Sequence, residues 1–225
     1  MNQEIISKIN GLQEEFVCES CGHKQIVNIF PYINFKENPE YYSKVKDLSI
    51  FNIICNQCHK TSMIQYNMLL LDESHKYFLY LLPNKDDYEH FRHQIDYFMK
   101  MNFNESNYPD FNEYKTRIVF DLNEMIEKMS IFELSLNDKA IEILKNAIKD
   151  SGVIDDKTYD LYFDGIENTD MIFIYLVKLT NKIKNTKISI GLYNSIIEKV
   201  NKDPETGKFE LVNSEWAKEF IKNDK

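Results

Sequence analysis

Apolar and polar positions follow two different periods along this chain. In the first third, short β-branched or aromatic runs alternate with polar turns, which predicts strands. Glu14–Cys18 and Gln25–Phe35 are the first two runs, the second interrupted by Pro31, which marks a bulge or an edge position. Ile50–Ile54, Thr61–Leu71 and Tyr77–Leu82 come next, the last two separated by the polar stretch Asp72–Lys76. Asn38-Pro39-Glu40 predicts a short helix with proline in its first turn. After Pro83 the period lengthens. Tyr88, Phe91, Ile95, Phe98 and Met99 recur at helical spacing, with Asn84 as N-cap and Asp86 and Asp87 in the first turn. Met101–Asp110, rich in Asn and holding Pro109, predicts a linker.

The second half mixes the two periods. Arg117–Phe120 predicts a short strand or a lead-in to a helix. Asp121 and Glu124 fit a capping box ahead of a stripe of Leu122, Met125, Ile126 and Met129. Asn137 or Asp138 caps a helix with Ile141, Leu144, Ala147 and Ile148, closed by Gly152. Thr158–Phe163 and Met171–Lys178 predict strands around a turn at Asp164-Gly165. A helix through Leu192, Tyr193, Ile196, Ile197 and Val200 is next, then a turn at 203–207 and a strand at Lys208–Val212. Asn213 caps a last helix carrying Trp216, Phe220 and Ile221. Segregated strands and helices predict an α+β fold.

Composition narrows the class. The 225 residues are 43% apolar and 28% charged, an ordinary globular balance. Net charge is −9, and Arg92 and Arg117 are the two arginines among 27 basic residues. That argues against a general duplex-DNA binder, which needs clustered positive charge. The longest apolar runs, such as Met171–Val177, are far short of a membrane span, and the first residues lack the pattern of a secretory signal. The expectation is a cytoplasmic protein without a membrane partner, whose thiols stay reduced.

That expectation gives weight to the four cysteines. Cys18-Glu19-Ser20-Cys21-Gly22 and Cys55-Asn56-Gln57-Cys58-His59 are two C-x-x-C units with 33 residues between Cys21 and Cys55. A tight turn within each unit aims both sulfurs at one centre, and Gly22 suits the positive φ such a turn ends in. Two units facing each other give four thiolates in a tetrahedron, which predicts a Zn²⁺ site at Cys18, Cys21, Cys55 and Cys58. Iron in a rubredoxin-like site is the less favoured alternative on spacing alone. Cys55–His59 also matches the haem c attachment pattern, a chance match in a chain without an export signal. His23 and His59 each come directly after a cysteine pair, and either could replace a ligand. With four cysteines at hand, solvated histidines are the expectation.

The chain resembles the bacterial CpXC-domain proteins, a family with no assigned molecular function. The two cysteine units carry the resemblance, with Asn38-Pro39-Glu40, Leu70-Leu71-Asp72 and the strand ending Leu81-Leu82-Pro83. Arg117-Ile118-Val119, Glu127-Lys128-Met129 and Asp138-Lys139-Ala140-Ile141-Glu142 resemble the segment C-terminal to that domain in the family. The resemblance covers about residues 12 to 150. Two features depart from the family pattern. Glu19 and Asn56 replace the motif prolines, and His59 replaces the second glycine. With the resemblance, the expected organisation is a β-rich, zinc-ribbon-like domain at 12–84, a helix and linker at 85–110, and an α+β domain at 111–225.

Other motifs are weaker. His90 and His93 lie three apart on a polar helix face, a conceivable second metal site but more simply solvated. Thr206-Gly207-Lys208 lacks the upstream glycine of a phosphate loop and reads as a turn. Asp155-Asp156 and the scattered glutamates read as surface charge. A closed four-cysteine site leaves no position for activating water, so the chain is expected to be a binding or regulatory module with a protein partner rather than an enzyme. Two alternatives remain. One is nucleic-acid binding through Tyr32, Phe35, Tyr41, Tyr42 and Phe51 with Lys24, Lys36, Lys44, Lys46 and Lys60, which the net charge disfavours. The other is redox sensing or electron transfer through exposed thiolates.

Overall fold

Each cysteine pair sits at the turn of its own short hairpin, and a separate mixed sheet forms the core beside them. The computed structural model describes residues 11–92, 94–95, 113–152, 154, 159–177, 182–202 and 205–223. The fold is α+β, as the two periods predict. The chain divides into Met1–Leu122 with Gly207–Phe209, and Asn123–Thr206 with Glu210–Lys225.

In the first unit, β1 (Leu12–Val17) pairs antiparallel with β2 (Lys24–Ile29). Pro31 has no N–H to continue the ladder. Its carbonyl instead accepts the Leu69 N–H at 2.8 Å. The chain thereby leaves the hairpin, and β3 (Tyr32–Asn34) runs parallel to β6 (Met68–Asp72). The single run expected at Gln25–Phe35 is two strands in different sheets. After α1 (Glu40–Lys46), β4 (Asn52–Ile54) and β5 (Thr61–Met63) form the second hairpin. The run expected at Thr61–Leu71 is likewise divided. The Ile64 N–H turns back to the Phe51 carbonyl at 2.9 Å, and the Phe30 N–H donates to the Tyr66 hydroxyl at 3.2 Å.

The core sheet has the order β3-β6-β7-β8, with β7 (Tyr77–Leu81) antiparallel to β6 and β8 (Lys115–Val119) parallel to β7. Every residue of β6 is buried, which explains its unbroken apolar run. Burying Leu70, Leu71, Phe78 or Leu79 stabilises the unit by roughly 1.5–3 kcal/mol each. Arg117 is also fully buried in β8 and donates to the Thr116 carbonyl at 3.1 Å. Asn84 caps the next turn as predicted, its Oδ1 accepting the Asp86 N–H. Phe91 stacks on Tyr80 with ring centres 3.9 Å apart. His93, Phe98, Met99 and the linker predicted at 101–110 lie outside the described residues.

The second unit holds the helices α2 (Leu122–Glu133) and α3 (Asp138–Asp150) and an antiparallel sheet of β9 (Tyr159–Glu167), β10 (Asp170–Val177) and β11 (Lys182–Ser189). Helices α4 (Ile190–Val200) and α5 (Ser214–Asn223) complete it. Two of the predicted caps hold. Asn137 Oδ1 accepts the Lys139 N–H at 2.9 Å, and Asn213 Oδ1 accepts those of Glu215 and Trp216 at 3.0 Å. Three strand expectations change. The β9–β10 turn is at Asn168-Thr169, with Asn168 at φ 56, and Asp164 is the extra residue of a bulge opposite Ile172 and Phe173. β11 is an additional strand. Residues 208–212 form only an isolated bridge at Glu210.

Glu127 of α2 and Glu142 of α3 are not surface charge. On α3, Ala147 is exposed while Glu142, Lys145 and Asn146 are buried. Lys145 Nζ donates to both oxygens of Glu127 at 3.1 and 2.9 Å and to Glu142 at 3.0 Å. Lys128 Nζ donates to Asp138 at 2.9 Å and to the Val212 carbonyl at 3.0 Å. Glu127 also accepts the Phe163 N–H of β9 at 2.6 Å. Burial raises the pKa of Glu127, and Glu142 adds to that, against Lys145 and Lys128. Burial also opposes the charge on Lys145, but Glu127 and Glu142 outweigh it and its pKa rises.

Removing one member strands the others in a dry interior. Lys145→Ala is expected to destabilise the chain by roughly 3–5 kcal/mol. Lys187→Ala, which breaks only the exposed pair with Glu167, is expected to leave the urea midpoint unchanged. Urea unfolding monitored by far-ultraviolet circular dichroism compares the two.

Candidate metal centre

The two C-x-x-C turns are built alike. In the first, the Gly22 N–H donates to the Cys18 carbonyl at 2.8 Å and the Cys18 N–H to the His23 carbonyl at 2.9 Å. In the second, the His59 N–H donates to the Cys55 carbonyl at 2.9 Å and the Cys55 N–H to the Lys60 carbonyl at 3.0 Å. Both turns end in the left-handed region, Gly22 at φ 71 and His59 at φ 58. His59 adopts at the end of the second turn the left-handed conformation that Gly22 adopts at the end of the first. A side chain there costs about 1–2 kcal/mol.

These turns bring all four thiols together. Cys18 Sγ lies 3.7 Å from Cys58 Sγ, and Cys21 Sγ lies 3.6 Å from Cys55 Sγ. The four sulfurs are all within 4.8 Å of one another. Four sulfurs on bonds of ~2.3 Å stand ~3.8 Å apart in a regular tetrahedron, so the donor set fits a tetrahedral, thiolate-binding metal ion. Cys18 and Cys55 are buried, Cys58 is half-buried and Cys21 is exposed. Each hairpin contributes one buried cysteine and one that is more exposed.

The thiols share protons. The Cys58 N–H, helped by that of Gln57 and by the Cys58 and Cys21 thiols, outweighs burial and brings Cys55 down to about 6. Cys21 accepts the His23 N–H, which lowers its pKa, but burial and the three neighbouring thiols carry it up to about 12. One sulfur gives up its proton readily and its neighbour 3.6 Å away retains one. A bound cation reverses this by favouring thiolate at every position.

Gln25 joins the hairpins, and sequence reasoning missed it. Its Nε2 donates to the Ile54 carbonyl at 3.1 Å, and its Oε1 accepts the Asn56 N–H at 2.8 Å. One amide on β2 thus holds the backbone on both sides of Cys55. The available signal is alternation. Gln25 shares the less exposed face of β2 with Val27 and Ile29, where a polar side chain needs a partner.

The remaining candidates do not join the site. Among the described residues, the four cysteines are the group of metal-binding side chains brought together, without His23 or His59. His90 instead bonds Gln94 at 2.9 Å, and its expected partner His93 lies outside the described residues. Trp216 and Phe220 are half-buried and stack on each other at 5.2 Å, with Lys139 Nζ 5.7 Å from the Trp216 ring centre. No helix among the described residues is long and apolar enough to cross a membrane.

A family model described as CpXC protein matches residues 16–145, more than half of the chain, so the chain belongs to that family. No curated protein and no solved structure matches.

The equivalent turns predict opposite effects of opposite substitutions. His59→Gly is expected to stabilise the first unit by about 1 kcal/mol, and Gly22→Ala to destabilise it by a similar amount. Chemical denaturation with metal present reads both. Gln25→Ala is expected to keep the metal stoichiometry but weaken affinity ~10-fold, as read by chelator competition.

Proposed function

On the premise of membership in the CpXC family, we propose that this chain is a zinc-binding, non-enzymatic binding or regulatory protein. Cys18, Cys21, Cys55 and Cys58 hold one structural Zn²⁺, and the two hairpins with their metal act as a zinc-ribbon-like domain. The observation that carries the reading is the convergence of four sulfurs from two equivalent turns. Four thiolates fill a tetrahedral ion's coordination shell, leaving no position for substrate or activated water. The metal's contribution is to the fold. Each two-stranded hairpin is marginal alone, and the ion ties one to the other.

Reduced thiols favour the cytoplasm as the compartment. The partner in this reading is a protein. Nucleic acid is disfavoured, because Arg117 is buried and Lys24 and Lys36 are paired with Glu15 and Glu73. Iron is the competing metal.

Elemental analysis of protein purified from its own organism is expected to give one zinc per chain and a colourless solution. X-ray absorption should find four sulfurs at ~2.3 Å. Chelator treatment should remove the metal and lower the melting temperature. A red protein holding iron would replace zinc in this reading, and turnover in a broad hydrolase and transferase screen would overturn the non-enzymatic role.

A further inference from the structure

The cysteines are unequal in a way that a purely structural site does not require. Cys21 is exposed, whereas Cys18 and Cys55 are buried, at 1% and 0% relative exposure. Cys21 is therefore the residue of the four most open to an oxidant arriving from solvent. The sulfur at 3.6 Å from it belongs to Cys55, across the site on the other hairpin. Within each turn, the ring of backbone hydrogen bonds between Cys18, Gly22 and His23, or between Cys55, His59 and Lys60, fixes the shape that aims the sulfurs outward to a common centre.

We propose that Cys21 and Cys55 form an oxidative modification site, in which a hydroperoxide converts the metal centre into a disulfide linking the two hairpins. The inference rests on the metal reading for the starting state. The Cys21 thiolate attacks the peroxide, an S–O bond forms, the O–O bond breaks and hydroxide (or alkoxide) leaves. The Cys55 thiolate then attacks the sulfenic sulfur, the S–S bond forms, the S–O bond breaks and a second hydroxide leaves. Two thiolates lose two electrons, the peroxide gains them, and solvent supplies two protons. The metal loses two of four ligands and departs. Cys18 and Cys58, 3.7 Å apart, each take a further proton from solvent as the metal leaves and become thiols on opposite hairpins. The hairpins exchange one tie for another, so losing the metal does not separate them.

Zinc-loaded full-length protein treated with one equivalent of hydrogen peroxide tests this, with metal release, thiol titration and disulfide mapping by mass spectrometry as readouts. The expected result is loss of the metal, loss of two of the four free thiols, and Cys21–Cys55 as the main bridge. The oxidised, metal-free protein should melt above the reduced, metal-free protein. Predominant Cys18–Cys21 or Cys55–Cys58 bridges, bridges between chains, or sulfinic acid at Cys21 without any bridge would overturn the proposal. Chelator-treated protein is oxidised in parallel, and the double variant Cys18→Ser, Cys58→Ser retains the reacting pair. Both are expected to give the same bridge. Failure to load metal with formation of this bridge counts against the zinc reading alone. Metal loading with bridges confined to single turns counts against this proposal alone.

Discussion

Four sulfurs held within 4.8 Å of one another are an electrostatic problem before they are a binding site. Two thiolates 3.6 Å apart repel by about 4–5 kcal/mol at an effective dielectric near 20. Without a cation, the cluster responds by dividing its protons unevenly, with Cys55 low and Cys21 high. The hairpins hold the sulfurs there regardless. Left-handed residues end both turns, and Gln25 clamps one hairpin to the backbone of the other. The first unit thus holds its sulfurs close by keeping protons that a divalent ion displaces, and this couples metal binding to pH and to the folded state.

The second unit handles buried charge in another way. Glu127, Asp138 and Glu142 face Lys128 and Lys145 inside the protein, and each is answered by an opposite charge or a backbone group. Such a network adds little net stability over an apolar core of the same volume. It is demanding about geometry. Lys128 reaches the Val212 carbonyl, and Glu127 reaches the Phe163 N–H of β9, so α2 fixes the position of segments remote in sequence.

The site was legible because its signal is local. Cysteine spacing and the glycine after the first pair state the turn geometry without tertiary information, and the caps at Asn84, Asn137 and Asn213 are local for the same reason. The strands at Gln25–Phe35 and Thr61–Leu71 read as single runs because their composition stays apolar where the chain changes sheets. Hydrogen bonds from Leu69 to the Pro31 carbonyl, from Ile64 to the Phe51 carbonyl and from Phe30 to the Tyr66 hydroxyl separate them, and each joins residues distant in sequence. The buried charges were hidden for a related reason. Glu127 and Lys145 lie 18 residues apart on different helices, and nothing in either local pattern marks them as partners. At Asp164-Gly165 the turn signal was real but served a bulge, and the chain reversed instead at Asn168.

Strand β11 escaped pattern reading because its sequence, Lys-Ile-Lys-Asn-Thr-Lys-Ile-Ser, offers little apolar face. The same chemistry governs what that strand does to its surroundings. Among the described residues it forms the edge of its sheet, pairing with β10. An open edge is a template on which a further strand can grow. Here Lys182, Lys184 and Lys187 line it. A second copy arriving edge to edge would set lysine against lysine and strip water from each ammonium group. The residues that make the strand hard to see also make it a poor seed for aggregation.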